Sequence, residues 1–143
     1  VISKLVVQSR LALINDCLAQ LHRLSTMSFE TFVSDKDRVA AAESYLRRAL
    51  EAIFDVGRHI LAKSGGADLA TEYKSIAFGL GAKGVISPEL AQSLVSMAGY
   101  RNRLVHLYHL VQEDELHEIL QNDLSDLEAF SREITAFVNA LEA

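Results

Sequence analysis

The apolar residues of this 143-residue chain recur at steps of three and four almost from end to end, and only one proline, Pro88, interrupts them. That spacing keeps them on one face of a 3.6-residue helix and leaves no run with the alternation of a strand. Val7, Leu11, Ile14, Leu18 and Leu21 form the first stripe, which Ser25 to Ser28 breaks. Ser34 or Asp35 is placed to cap a second, long helix to about Lys63, whose stripe is Val39, Ala42, Leu46, Leu50, Ile53, Gly57 and Ile60. Gly65-Gly66 supplies a helix stop. Thr71 can cap a short helix ending near Leu80. Ser87-Pro88-Glu89 is a strong start signal, with a capping hydroxyl, a proline in the first turn and an acid near the positive helix end. The helix it opens should reach about Tyr108. A last helix, from Gln112–Asp114 onward, carries Leu116, Leu120, Leu124, Leu127, Phe130, Ile134, Phe137 and Leu141. The pattern predicts an all-α antiparallel bundle of four long helices plus one short one, a single domain over residues 1–143.

Composition narrows the chemistry. Half the residues are apolar and 23% are charged, with a net charge of −5. A chain that coats nucleic acid by bulk electrostatics carries a basic surplus, so any grip on phosphates here must be local. The lone cysteine, Cys17, has no intrachain partner for a disulfide, which fits a reducing cytoplasm. No apolar run reaches the ~20 residues that span a bilayer, and the start lacks the layout of a signal peptide, so no membrane partner is expected.

Residues 100 to 109 read Tyr-Arg-Asn-Arg-Leu-Val-His-Leu-Tyr-His. At ~100° per residue, Leu90, Leu94, Met97, Leu104 and Tyr108 share a face, and Arg101 projects from the middle of it. A guanidinium there keeps its proton, so it must be paired or stand at an opening in the bundle. The bland reading is a structural ion pair with the aliphatic stem over the core. On the other side Asn102, His106 and His109 stack at spacings of four and three, with Arg103 one turn before His106. They form either an acid–base and phosphate-binding group or surface side chains near a helix end. In a regular helix Arg101 and His106 point ~140° apart with ~7.5 Å of rise between them, so a site using both needs a second copy of the chain or a distorted helix. Glu51 and Asp55 lie together off the apolar stripe of the second long helix. They suit a ladder with Arg47 and Arg58, or, for Asp55, a pairing with Arg101. A metal shared by His106 and His109 has only a lone H-x-x-H behind it, and no H-E-x-x-H or clustered carboxylate set is present, so no metal or cofactor is expected.

The run from Arg101 to Tyr108 resembles the R-x-x-x-x-H-x-Y signature of HEPN proteins of the HepT family. The flanks are similar too: Glu51 to His59, Gly84-Val-Ile86, Glu89-Leu-Ala91 and Met97-Ala-Gly99, with the likeness extending from about Ala40 to Phe137. One departure is Gln112, where relatives often open the last helix with aspartate. The resemblance implies a homodimer with a cleft at its interface and a metal-independent ribonuclease acting on tRNA or mRNA. In that reading Arg101, Asn102 and His106 are catalytic, while Arg103 and His109 bind substrate. It further implies a toxin whose partner is an MntA-like nucleotidyltransferase antitoxin that transfers AMP to Tyr108. The alternative is a non-catalytic helical subunit that binds substrate for, or regulates, a nucleotidyltransferase. On the residues alone Tyr108 is equally a core side chain at the helix end.

Overall fold

The computed structural model describes residues 1–106 and 111–141. Among them the chain forms seven α-helices and one 3₁₀ turn and no strand: α1 Lys4–Ser25, α2 Phe29–Val33, α3 Lys36–Lys63, the turn Ala67–Leu69, α4 Tyr73–Ala82, α5 Pro88–His106, α6 Glu113–Asn122 and α7 Leu124–Leu141. The all-α bundle is as the spacing predicts, but the count of four long helices and one short is not. Two departures account for the difference.

The first is α2, a five-residue helix in the break after α1. The Ser28 side chain accepts a hydrogen bond from the Thr31 N–H, and the helix exists to bury Phe32 completely. The second is the expected last helix, which divides at Asn122-Asp123. Asn and Asp favour local turns over helix interiors, and the two halves serve different neighbours. In α6, His117 hydrogen-bonds through Nε2 to the Met27 carbonyl at 3.0 Å, and the Gln121 amide donates to the Ser25 carbonyl at 2.6 Å, so α6 closes over the α1–α2 junction. In α7, the Glu133 carboxylate accepts from the Ser87 N–H at 2.7 Å, tying that helix to the start of α5. The stripe survives the break: Leu116, Leu120, Leu124, Leu127, Phe130 and Ile134 are buried, whereas Leu141 is exposed.

The 28-residue α3 is the axis of the bundle. Asp35 caps it by accepting from the Asp37 N–H, and every residue of its stripe is buried. It ends where Gly65 adopts a φ of +80°, a conformation that carries little cost only without a Cβ, and the Gly66 N–H closes on the Leu61 carbonyl at 2.8 Å. Gly57 lets α4 approach: a Cβ there would stand 2.6 Å from Ile76 Cγ2. The α4 helix starts at Tyr73 after Glu72, which makes no side-chain cap, so the hydroxyl of Thr71 is not the cap that the sequence suggests. This shift puts the Tyr73 ring beside α3 and α5. Ser87 caps α5, its hydroxyl accepting from the Leu90 N–H. Gln112 precedes α6 and makes no side-chain cap, while Glu113, Asp114 and Glu115 fill the first turn, where the positive helix end favours acids. Among the described residues no helix is long and apolar enough to cross a membrane.

Candidate functional site

Leu90, Leu94, Met97, Ala98 and Leu104 face the core from α5, and Arg101 lies in their midst with its side chain only 13% exposed. Its charge is met from three sides. Nη2 is 3.7 Å from Glu51 Oε1 on α3, the guanidinium carbon sits 4.3 Å from the centroid of the Tyr73 ring, and Nη1 donates to Asn102 Oδ1 at 3.4 Å. A cation over an aromatic face is attracted by the ring quadrupole. The Nε–H is buried without a partner among the described residues. The tyrosine is the element that sequence reading missed. Its signal was only its place just after the cap of a short helix.

Around this centre the carboxylates of α3 are shared. Glu51 also takes Arg47 at 3.3 Å, and Asp55 takes Arg58 at 3.3 Å and Arg10 of α1 at 3.8 Å. Arg58 also lies 5.6 Å from the centroid of the Tyr73 ring. The ladder of Arg47, Glu51, Asp55 and Arg58 is therefore present. The proposed pairing of Asp55 with Arg101 is not, since Asp55 stands one helical turn further along and is occupied by Arg10 and Arg58, which leaves Glu51 opposite Arg101.

Across α5 the surroundings differ in sign. Arg103 makes two 2.9 Å hydrogen bonds to the two carboxylate oxygens of Glu115 on α6, a fork-to-fork pair, and its guanidinium lies 5.2 Å from the centroid of the Tyr100 ring. The hydrogen bond it donates to Glu115 is the main reason its pKa is raised. This pair borders a recess of about 390 Å³ whose lining includes Glu118, Asp123 and Asp126. Burial, then Asp126 and Glu118, push the Asp123 carboxyl above the usual range. Arg103 is thus engaged with α6 amid acids.

Asn102 and His106 are exposed, and His106 is the last described residue of α5. The structure brings Asn102 to Arg101, but no hydrogen bond joins Arg101 and His106 among the described residues, as expected for side chains ~140° apart on one continuous helix. Tyr108 and His109 lie outside the described residues. Among the described residues no group of three or more His, Cys, Asp or Glu side chains is arranged to hold a metal.

Comparison with known proteins bears on the family and the fold. A family model described as Ribonuclease HepT-like matches residues 14–134. A curated relative, tRNA nuclease HepT of Aphanizomenon flos-aquae, is 26% identical over 141 residues, covering 99% of this chain and 95% of its own. The Shewanella oneidensis HEPN toxin, solved tri-AMPylated and in complex with an MNT antitoxin, superposes with a TM-score of 0.80 at 24% identity over 92% of this chain and 97% of that one. The Bacillus subtilis cytosolic protein of unknown function YutE superposes with a TM-score of 0.82 at 18% identity over 98% and 93% of the two chains. At these identities the two structures speak for the fold.

Proposed function

Because the chain belongs to the HepT-like ribonuclease family, we propose that it is a metal-independent endoribonuclease, the toxin of a toxin–antitoxin pair, working through Arg101, Asn102 and His106 at a cleft between two copies. The observation that carries this is the family match over residues 14–134, which includes the whole arginine-to-tyrosine run. The cyanobacterial relative is named a tRNA nuclease, and tRNA is the substrate we assign first.

The chemistry needs only the chain's own groups. The ribose 2′-oxygen attacks the adjacent phosphorus as its proton passes to the His106 imidazole. The new O2′–P bond forms as the P–O5′ bond breaks, and an imidazolium returns a proton to the departing 5′-oxygen. An imidazole can both accept and donate a proton near neutral pH and so suits both transfers, which together contribute ~10²–10⁴-fold. The Arg101 guanidinium stabilises the extra negative charge on the phosphorane oxygens, and Asn102 orients the phosphate beside it.

A second copy is required because His106 and Arg101 leave α5 in different directions. The sequence of α5 supports one. Gln92, Val95, Gly99, Asn102 and His106 form one stripe at steps of three and four, running from an apolar recess of about 420 Å³ beside the exposed Phe78. Among the described residues a Cβ on Gly99 would meet nothing within 4 Å beyond its own stretch of helix, so no packing contact there accounts for a glycine in mid-helix. A second helix crossing there does.

Regulation follows from the motif tyrosine. An MntA-like nucleotidyltransferase antitoxin would transfer AMP from ATP to Tyr108, setting a phosphodiester's negative charge and bulk at the mouth of an RNA site. The solved Shewanella oneidensis toxin is AMPylated and bound to its MNT antitoxin.

The test is cleavage of tRNA by the purified chain in EDTA, beside Arg101→Ala and His106→Ala. Wild-type cleavage that drops at least 100-fold in both variants is expected. Equal cleavage by all three means contamination, and an inactive wild type leaves the regulatory-subunit reading in its place. With partner and ATP, intact mass should show added AMP that Tyr108→Phe loses.

A further inference from the structure

Four arginines from three helices surround two carboxylates on the α3 side of the motif, giving a local charge of +2 in a chain of net charge −5. Each carboxylate is divided between two guanidiniums, so neither is neutralised by a dedicated partner. Arg10, Arg47 and Arg58 have side chains 41–46% exposed, against 13% for Arg101. A guanidinium has five N–H donors. Arg47 places one on Glu51, and Arg58 places one on Asp55 and its Nε–H on the Ala70 carbonyl. Donors facing water therefore remain on each. Along α3, Arg47 and Arg58 are eleven residues apart, ~16 Å of axis, with Glu51 and the Tyr73–Arg101 contact between them.

We infer that Arg47 on one side of Arg101, and Arg58 with Arg10 on the other, form a phosphate-binding track for the RNA strand that flanks the scissile phosphate. This rests on the ribonuclease reading above and names the residues that give it substrate affinity. Consecutive nucleotides of an extended chain are at most several ångströms apart, so ~16 Å of track meets more than one phosphate. Glu51 and Asp55 keep the array ordered while the site is empty, and the strand's phosphates take over the unused donors on binding. The other side of α5 cannot serve, because there Glu115, Glu118, Asp123 and Asp126 outnumber Arg103, whose fork is filled. The strand is steered toward α3 by attraction on one side and repulsion on the other.

The experiment is a salt series of binding to a 2′-O-methylated single-stranded oligoribonucleotide, which the wild type holds but cannot cleave. Each phosphate contact contributes ~0.7 to the slope of log affinity against log salt for a single strand. The combined Arg10→Gln, Arg47→Gln, Arg58→Gln variant should bind more weakly with a slope shallower by about 2, and the matching lysine variant should restore the slope. Asp55→Asn should bind more tightly than wild type, the opposite of what a purely structural role for the ladder gives. Arg103→Gln should keep the wild-type slope. A combined glutamine variant that is folded by circular dichroism and keeps the wild-type slope overturns the track, as does weaker binding by Asp55→Asn or no binding by the wild type. Cleavage of natural tRNA is scored separately. An active wild type with an unchanged variant slope defeats the track alone, and an inactive wild type with the expected slopes defeats the nuclease alone.

Discussion

Gly99→Ala tests the assembly of the site with a change of sign. Gly99 lies well inside the 19-residue α5, and its φ is not positive. A methyl group there meets nothing within 4 Å among the described residues beyond its own stretch of helix. Replacing glycine by alanine in a helix interior gains ~0.8–1 kcal/mol, which for a chain of this size raises the melting temperature by roughly 3 °C. If a second copy crosses α5 at Gly99, two-fold symmetry brings two new methyl groups into the contact. Overpacking of a close interface costs ~1–3 kcal/mol, or roughly a 5- to 150-fold weaker dimer. The substitution should therefore stabilise the protein when dilute and weaken its self-association. Sedimentation velocity across a concentration series, with thermal melts at each concentration, separates the two effects because only dimer stability depends on concentration. An unchanged or tighter dimer removes this face of α5 from the contact. A lower melting temperature in dilute solution refutes the local reasoning about the helix.

Two further substitutions probe the titratable side chains Tyr100 and His59. The Tyr100 hydroxyl is buried without a partner among the described residues, and burial, then Glu115, raise its pKa. Tyr100→Phe deletes an unsatisfied hydroxyl, so the urea midpoint should stay level or rise by up to ~1 kcal/mol of stability, and a clear loss would reveal a bond. His59 Nε2 accepts the Ser3 N–H at 2.9 Å, and burial, then Lys63 and the Val1 amino group, hold its pKa below the usual 6.5. The unfolded chain takes up this proton first, so the contribution of His59 is whole above pH 6.5 and shrinks as pH falls from there toward the lower folded value. Comparing urea midpoints at neutral and mildly acidic pH, His59→Gln should lose less stability than wild type, and parallel losses would refute the linkage.

The stripes were legible because burial on one face writes a period into the sequence, and α3 and α5 begin where Asp35 and Ser87 offer caps. The break at Asn122-Asp123 was hidden because Leu120 and Leu124 keep a helical spacing across it, and what bends the chain is a distant demand, the cover that His117 and Gln121 give the α1–α2 junction. The ion-pair ladder could be read from spacing along α3. The partner of Arg101 could not, because choosing Glu51 over Asp55 depends on where α5 crosses α3, and no local pattern fixes that. Tyr73 was invisible for the same reason.

The two arginines of the motif show how geometry separates a structural guanidinium from an available one. Arg103 spends two N–H groups on the two oxygens of Glu115 at 2.9 Å each, in the bidentate arrangement that is hardest to displace. A phosphate approaching it must also pass Glu118, Asp123 and Asp126. Arg101 is held differently. Its carboxylate contact is single, 3.7 Å long, and to an oxygen already 3.3 Å from Arg47. The Tyr73 ring, 4.3 Å from the guanidinium carbon, attracts the cation through its face rather than through a carboxylate contact. A structural role and the proposed catalytic one are therefore compatible for Arg101: the ring and Glu51 set its position in advance, and in the proposed function a phosphate would replace Glu51 at the cost of one weak contact, with Arg47 on hand to take up the released carboxylate. Preorganisation of this kind is what makes a charged donor effective in a transition state.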